Sequence, residues 1–180
     1  MLKINKSSHL IDSVEYLPST NCDKRPQGYL IDTIIIHCIS LPEGIFDNNN
    51  VADLFMNNLD LTKHPTFKSL KDLKVSSHVF IKRNGQIIQF VPFNLRAWHA
   101  GKSNLRGRDN CNDFSIGIEL EGSTSTNFEG IQYTKLNELI VGLRGNYPEI
   151  VGENIIGHNE VSTGRKTDPG PFFDWSKIKN

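Results

Sequence analysis

The chain has 180 residues, of which 37% are hydrophobic and 22% charged, a composition typical of one soluble globular domain with a core of its own. Lys plus Arg and Asp plus Glu number 20 each, so no net charge favours nucleic acid or an anionic membrane as a partner. The first residues lack a signal-peptide pattern and no apolar run approaches the thickness of a bilayer, so we expect a cytoplasmic protein.

The N-terminal third predicts a surface arm followed by a buried strand. Residues 1–29 are polar and rich in turn formers, and we expect them to pack as an arm on a domain formed by residues 30–180. Residues 30–36 form a β-branched apolar run, typical of a strand buried on both faces, which ends at His37. Cys38 follows directly and is expected to point to the opposite face, so the two side chains should not share a metal.

A short helix and a hairpin are predicted next. Asn50 is expected to cap a helix that carries Val51, Leu54 and Phe55 on one side, and residues 59–73 read as loop with a little helix. Residues 79–83 and 86–91 flank Asn84-Gly85, the preferred dipeptide of a type I′ two-residue turn.

Residues 114–121 predict a second central strand with a clean alternation of side chains. The odd positions from Ser115 to Glu121 share the face opposite the apolar residues. The small Ser115 and Gly117 should leave space in front of the two carboxylates, Glu119 and Glu121, as the floor of a substrate site requires. For Glu121 the preferred interpretation is a solvated strand face.

The last third predicts an amphipathic helix over residues 130–147, ended by Pro148, although Gly142 and Gly145 weaken the pattern. Residues 154–157 read as a short strand or turn, and residues 172–178 as a small closing helix. The three cysteines, Cys22, Cys38 and Cys111, are an odd and widely spaced set, poor as a disulfide framework and consistent with a reducing compartment.

The segment from Arg165 to Pro171, preceded by Gly157-His158, is the strongest candidate for chemistry. Its two prolines make it stiff, and in an extended segment Lys166 and Asp168 share a face. Catalytic zinc usually takes three ligands from His and Asp/Glu and leaves one position for water, a need that His37, His158 and Asp168 would meet. The alternative for each histidine alone is an ordinary packed or surface residue.

Three further side chains are candidates for a hydrolytic site, each with a plain alternative. Glu119 could act as a general base towards metal-bound water, or lie on a solvated strand face. Lys166 could stabilise a developing oxyanion, or form a surface ion pair with Asp168. Trp98 could pack against a sugar or peptide, or belong to the core. His99 is expected in the wall of a pocket, and His78 as a capping or packing residue.

Four motifs in order resemble one family, the AmpD-type N-acetylmuramoyl-L-alanine amidases, a branch of the type-2 amidases related to peptidoglycan recognition proteins. They are Ile35–Pro42, Trp98–Gly101, Cys111–Gly122, and Gly157-His158 followed by Arg165–Pro171. The resemblance implies a single α/β domain, with a central mixed sheet flanked by helices, and one zinc ion per chain. It also implies cleavage of the amide between the lactyl group of muramic acid and L-alanine.

The family's roles can be placed residue by residue. His37, His158 and Asp168 are similar to the zinc ligands, Glu119 to the catalytic acid/base and Lys166 to the oxyanion stabiliser. The implied substrate is a 1,6-anhydromuramyl peptide, with or without its GlcNAc, formed during cell-wall turnover and recycling. A monomer is expected, without nucleic acid or membrane as partners.

The substrate-binding positions depart from the family pattern. Cys38 stands where Asn is more frequent, and Lys74 and Asn110 where Arg is expected, with Arg108 near enough to compensate. Trp98 completes this expected set. Two rival hypotheses stay open: a binding module that recognises muramyl peptides without cutting them, and an amidase that acts on intact peptidoglycan.

Overall fold

The computed structural model describes residues 2–178 as strands and helices that alternate along the chain. The strands are β1 (Glu15–Tyr16), β2 (Cys22–Lys24), β3 (Thr33–Ile39), β4 (Val79–Ile81), β5 (Ile87–Gln89), β6 (Leu95–Ala97), β7 (Asn104–Leu105), β8 (Arg108–Asp109), β9 (Ser115–Glu121) and β10 (Ile155–Gly157). The α-helices are α1 (Asn50–Phe55), α2 (Gly130–Arg144) and α3 (His158–Val161). Short 3₁₀ helices span Pro65–Leu70, Cys111–Asp113, Gly152–Asn154 and Trp175–Lys177.

The main sheet has six strands in the order β1-β5-β4-β9-β3-β10. The β4–β5 pair is antiparallel and the other neighbours are parallel, so the sheet is mixed. Two small antiparallel pairs, β2–β6 and β7–β8, lie outside it. The predicted α/β class with a mixed sheet flanked by helices is therefore confirmed.

The two central strands, β3 and β9, divide the interior between them. Residues 33–37 of β3 are all buried, as a strand covered on both faces requires, and β3 extends to Ile39, past the predicted end at His37. One face of the sheet packs its isoleucines against α2 through Leu136, Ile140 and Leu143. The other face packs β4 and β5 against α1, and β3 and β10 against α3 and the loop before β9. The second face is where loops can reach the sheet.

Helix α2 is amphipathic as predicted, but it ends at Arg144 and Gly145 forms its C-cap, so Tyr147 lies beyond it. The side chain of Gln132 accepts a hydrogen bond from the Glu129 backbone at 2.9 Å and so closes the first turn. A Cβ at Gly142 would lie 2.5 Å from the Leu2 carbonyl oxygen, so the glycine lets the N-terminal segment cross the helix closely. None of the helices formed within residues 2–178 has the length and apolar character of a membrane span.

The N-terminal segment is part of the sheet system. β1 adds a parallel strand to β5 at the sheet edge, and β2 pairs with β6. The Arg25 guanidinium is largely buried and donates to the carbonyls of Asn112, Asp113, Phe93 and Ser115 at 2.8–3.2 Å. This segment therefore braces the loop that leads into β9.

Two local predictions were wrong. Only Gly85 of the Asn84-Gly85 pair has a positive φ, at 85°, whereas a type I′ turn needs a positive φ at both central residues. The Gly85 N–H donates to the Lys82 carbonyl at 2.9 Å, so the turn spans four residues and its glycine closes it in the left-handed conformation. Asn50 is the first residue of α1 rather than its cap, and its N–H donates to the Asn48 side chain at 2.9 Å.

Candidate metal centre and active site

Three donor atoms from distant parts of the chain converge at one end of the sheet. The Nδ1 atoms of His37 and His158 lie 2.9 Å apart, and Asp168 Oδ2 lies 3.1 and 3.0 Å from them. β10 runs parallel to β3 with Gly157 beside Ile36, so the residue after each of these partners comes to the same edge. The Pro-rich loop then returns across that edge with Asp168, whose backbone carbonyl accepts from the Asn159 N–H at 2.9 Å.

The donor set suits a zinc ion. Two imidazoles and a carboxylate are typical ligands of catalytic zinc, and the group could hold a metal because its ligand atoms lie within 4.8 Å of one another. Tetrahedral ligands about 2.0–2.1 Å from zinc lie roughly 3.3–3.4 Å from each other, so the triangle would need to widen by only a few tenths of an ångström. Cys38 is not part of the group, and burial raises the pKa of its thiol.

Each histidine has its second ring nitrogen engaged. His158 Nε2 donates to the Ala100 carbonyl at 3.1 Å, which leaves the Nδ1 lone pair to face the donor triangle. His37 Nε2 lies 3.0 Å from His99 Nδ1. Both ligand rings are therefore oriented by the same short segment of chain, residues 99–100.

The protonation states favour metal binding. Burial lowers the pKa of His37 to about 4, so its imidazole is neutral at pH 7. Burial opposes ionisation of Asp168, but the close polar contacts of its carboxylate with the rings of His158 and His37 outweigh it and hold the pKa of the carboxyl below its usual range. Neutral imidazoles and an ionised carboxylate are the forms that coordinate a cation.

Glu119 lies beside the donor triangle because β9 pairs with β3 in a register that sets Glu119 against His37. Neighbouring strands are about 4.8 Å apart, so these two side chains share one face at close range. The Oε2 atom of Glu119 is buried and has no hydrogen-bond partner among residues 2–178. Burial, and then the negative charge of Asp168, raise the pKa of Glu119 well above its ordinary value. Such a carboxyl can both accept and return a proton.

Lys166 faces the same space without forming the ion pair considered as its alternative. Lys166 and Asp168 both line the cavity in front of the donor triangle, as their shared face predicts. In the described part of the chain, no carboxylate lies within 4.0 Å of the Lys166 ammonium. The positive charge nonetheless lowers the pKa of Glu119 slightly against the larger effects that raise it.

The cavity has a volume of about 450 Å³ and joins the polar donor end to an apolar wall. Of the predicted substrate-binding residues, Cys38, Lys74 and Trp98 line it. Leu54, Leu70 and Leu73 form the apolar wall and were not predicted, because a leucine on a short helix or next to one carries no sequence signal that separates a pocket wall from core.

Arg108 and Asn110 do not line this cavity. The Arg108 guanidinium donates to Asp32 at 2.7 Å and lies over the Phe114 ring at 3.9 Å, so it is not placed to replace a missing arginine here. Asn110 is exposed, with φ at 57°, and immediately precedes the 3₁₀ helix Cys111–Asp113.

Two predictions about β9 were wrong. Glu121 is buried rather than solvated, because its carboxylate accepts from the backbone N–H groups of Asp47 and Arg83 at 2.8 and 2.9 Å. The space in front of Gly117 does not form a substrate floor, since the His99 ring fills it and a Cβ there would lie 2.4 Å from His99 Cγ. His78, predicted to cap or pack, is fully buried and accepts from the Gly117 N–H at 3.0 Å.

Comparisons with known proteins agree on one family. The family model described as N-acetylmuramoyl-L-alanine amidase matches residues 27–171. The 1,6-anhydro-N-acetylmuramyl-L-alanine amidase AmpD of Haemophilus influenzae is 46% identical over 168 residues, which cover 93% of this chain and 91% of that protein. A crystal structure of a selenomethionine derivative of AmpD superimposes with a TM-score of 0.93 at 41% identity and covers 99% of this chain and 97% of its own.

A more distant structure includes a bound substrate. The amidase AmiD of Escherichia coli, in complex with the substrate anhydro-N-acetylmuramic acid-L-Ala-D-γ-Glu-L-Lys, is 31% identical with a TM-score of 0.59. That similarity covers 86% of this chain and 59% of the AmiD chain.

Proposed function

The chain belongs to the N-acetylmuramoyl-L-alanine amidase family, and from this premise we propose that it is a zinc-dependent amidase of 1,6-anhydro-N-acetylmuramyl peptides. The reaction would hydrolyse the amide between the lactyl group of muramic acid and L-alanine. The observation that carries the proposal is the convergence of His37, His158 and Asp168 beside a Glu119 carboxylate whose Oε2 is buried and has no hydrogen-bond partner within residues 2–178.

A zinc ion held by His37, His158 and Asp168 would act as a Lewis acid and lower the pKa of bound water towards ~7. The protein's own contribution begins with Glu119, which takes a proton from the attacking water and delivers it to the nitrogen of L-alanine as the C–N bond breaks. The C–O bond that forms completes a lactyl carboxylate, so one water is consumed and a peptide amine is released. The raised pKa of Glu119 suits both proton transfers, because a carboxylate with a raised pKa is a stronger base than an ordinary glutamate and the acid it forms can return the proton.

Lys166 is proposed as the oxyanion stabiliser. Its ammonium faces the cavity from the loop that also supplies Asp168, and no carboxylate in the described residues neutralises it. A positive charge aimed at the scissile carbonyl oxygen stabilises the transition state more than the ground state, because negative charge develops on that oxygen only during the reaction.

The substrate class is inferred from the relatives and from the cavity. The relatives named for anhydromuramyl substrates cover nearly the whole chain, and AmiD has been crystallised with such a substrate. Cys38, Lys74 and Trp98 are proposed to contact the sugar or stem peptide, with Trp98 offering a face on which a sugar can pack. A contribution of Arg108 and Asn110 would require a substrate long enough to leave the cavity, such as one that keeps its GlcNAc.

We place the reaction in the cytoplasm, in peptidoglycan recycling, and expect a monomer. The three cysteines are free in the structure, which fits a reducing compartment. We also retain residues 1–29 as an arm packed on a catalytic domain of residues 30–180, with residues 1, 179 and 180 lying outside the described residues. The pairing of β1 and β2 with strands of the domain supports close packing of that arm.

The test is mass spectrometry of the products formed from an anhydromuramyl tripeptide, with and without a chelator. We expect release of the free tripeptide, loss of turnover in chelator and recovery with added zinc. Intact substrate in the presence of stoichiometric zinc would instead favour a binding module that does not cut. Release from whole sacculi at a higher rate than from the tripeptide substrate would favour an amidase of intact peptidoglycan.

Metal analysis of Asp168→Ala tests the ligand set separately. The substitution removes one of three donors, and we expect the stoichiometric zinc of the wild-type protein to be lost. The matched control is Asp12→Ala, which removes an exposed aspartate on the N-terminal segment. Unchanged zinc in Asp168→Ala would refute the proposed ligands.

A further inference from the structure

His99 contacts a candidate ligand without being one. Its Nδ1 lies 3.0 Å from His37 Nε2, and the two rings meet edge to face with centroids 5.1 Å apart. On its other side, His99 Nε2 lies 3.3 Å from the Ser115 hydroxyl, which donates to the Cys111 carbonyl at 2.5 Å. The four groups form one continuous chain that ends in a backbone carbonyl.

The carbonyl at the end determines the direction of the whole chain. A carbonyl oxygen only accepts, so the Ser115 hydroxyl donates its one proton to the Cys111 carbonyl and accepts a hydrogen bond from His99. The proton of a neutral His99 ring is then on Nε2, and Nδ1 is an acceptor. His37 must therefore donate from Nε2, which leaves the lone pair of its Nδ1 directed at the donor triangle.

The backbone of β9 leaves room for the His99 ring at Gly117. Gly117 lies in β9 with φ outside the left-handed region, so its backbone conformation does not require glycine. A Cβ at that position would meet three atoms of the His99 ring at 2.4–2.7 Å. The absence of a side chain at Gly117 is thus explained by the His99 ring that packs against it.

The main chain at His99 is also held in place by hydrogen bonds. The Asn112 side-chain carbonyl accepts from the N–H groups of His99 and Ala100 at 3.2 and 2.8 Å. The Ala100 carbonyl is the acceptor for His158 Nε2. Both candidate ligand rings therefore depend on the dipeptide His99-Ala100. Asn112 anchors its backbone, and the contact with Ser115 anchors the His99 side chain.

We propose that His99 is a positioning residue for the metal centre: it holds His37 in the tautomer and orientation that bind the metal through Nδ1. This inference rests on the proposed function, because it assigns His37 as a ligand. Groups that receive the second N–H of a ligand histidine typically contribute 10–100-fold to metal affinity, and we expect an effect of that size here.

Zinc affinity, measured by competition with a chromophoric chelator, is the first readout. His99→Ala should weaken zinc binding on the order of 10–100-fold, because His37 loses its acceptor and its ring is free to turn. His99→Asn should recover most of the affinity, since the Asn Oδ1 occupies the place of the imidazole Nδ1 and accepts the same hydrogen bond. His9→Ala is the control, as His9 contacts Tyr147 at 2.7 Å, far along the chain from the site.

Gly117→Ala provides a second way to disturb the His99 ring and lower zinc affinity, and it alters no polar side chain. The added methyl should displace the His99 ring and lower zinc affinity, whereas in the His99→Ala background it should have little effect because the space is empty. Non-additivity of the two substitutions is the expected result. Additive losses would show that Gly117 acts through the strand and not through His99.

The tautomer of His37 in metal-free protein is the second readout, obtained from long-range ¹⁵N–¹H correlation spectra. Wild type should show the proton of His37 on Nε2. Ser115→Ala removes the link to Cys111 and should give a mixture of His37 tautomers. This variant keeps the test decisive if His99→Ala folds poorly. Wild-type zinc affinity in His99→Ala, or an Nδ1 proton on His37 in wild type, would overturn the proposal. A wild-type protein that binds no zinc but shows the Nε2 tautomer would refute the proposed function while leaving the orienting role of His99 intact.

Discussion

The two faces of β9 have opposite energetics. Ile116, Ile118 and Leu120 are fully buried against the apolar core under α2. On the other face, Glu119 has a buried carboxylate oxygen that forms no hydrogen bond with any described residue, next to a cluster of imidazoles. Full burial of each apolar side chain contributes about 1.5–3 kcal/mol, whereas a buried polar atom left unpaired costs about 1–3 kcal/mol. One face of this strand stabilises the fold, and the other carries the carboxyl that we propose for catalysis.

Two glutamates on the polar face of β9, Glu119 and Glu121, also differ from each other in their surroundings. Glu121 accepts two backbone hydrogen bonds and so ties the loops at Asp47 and Arg83 to the strand. Glu119, two residues earlier, has a raised pKa and an oxygen, Oε2, that accepts no hydrogen bond from the part of the chain the structure describes. Identical side chains in one strand thus have a structural role at Glu121 and a proposed chemical role at Glu119, and the difference lies in which loops reach them.

The largest effect is expected for Glu119→Gln. The amide keeps the volume but cannot take a proton, so turnover should fall by a factor on the order of 10²–10⁴ while zinc stays bound. Steady-state kinetics with metal analysis is the measurement. Glu121→Gln is the matched control, and it should lower stability, because a hydrogen-bonded carboxylate is lost, while the folded fraction keeps its rate constant. Full activity in Glu119→Gln would remove Glu119 from catalysis.

The same variant carries a prediction about pH. Because the pKa of Glu119 is raised in the folded protein, the folded state binds more protons than the unfolded chain above pH ~4.5, and the free energy of unfolding falls as pH rises towards the folded pKa. Glu119→Gln removes this loss, so metal-free variant should be more stable than metal-free wild type by roughly 0.5–2 kcal/mol at pH 8. The gain should shrink at pH 5, which denaturant unfolding at the two pH values will show.

The second effect in size is expected for Lys166→Ala. Loss of a charge that acts on the transition state should lower the rate constant by about 10²–10³ with a smaller change in KM. Kinetics over a range of substrate concentrations separates the two. Lys102→Ala, an exposed lysine on a neighbouring loop, is the control. A change confined to KM would make Lys166 a binding residue and place the chemistry with Glu119 alone.

The smallest effect is expected on the apolar face. Ile118→Val removes one methylene beneath α2 and should lower the free energy of unfolding by about 0.5–1.5 kcal/mol, with kcat per folded molecule and zinc content unchanged. Chemical denaturation and activity at low temperature measure the two quantities. A loss of zinc in this variant would mean that the two faces of β9 are coupled, contrary to the division drawn above.

The sequence by itself determined the local elements and the kinds of chemistry. β-branched runs gave the buried strand at β3, alternation gave the two faces of β9, and helical spacing gave α2, because these patterns depend on neighbours along the chain. The order of the four motifs indicated the amidase family, and the residue types of the donor triangle indicated a zinc site. The errors at Asn84-Gly85 and Asn50 concern details of turns and caps, which nearby tertiary contacts readily change.

Only the tertiary structure decided which side chains meet. The pairing of His37 with Glu119 depends on strand register, and the convergence of Asp168 on the two histidines depends on a loop that crosses the sheet edge. The filling of the space at Gly117 by His99, and the ties of Glu121 to two loops, likewise join residues far apart in the chain. Such contacts have no periodic signature, because each one is set by the packing of several elements together.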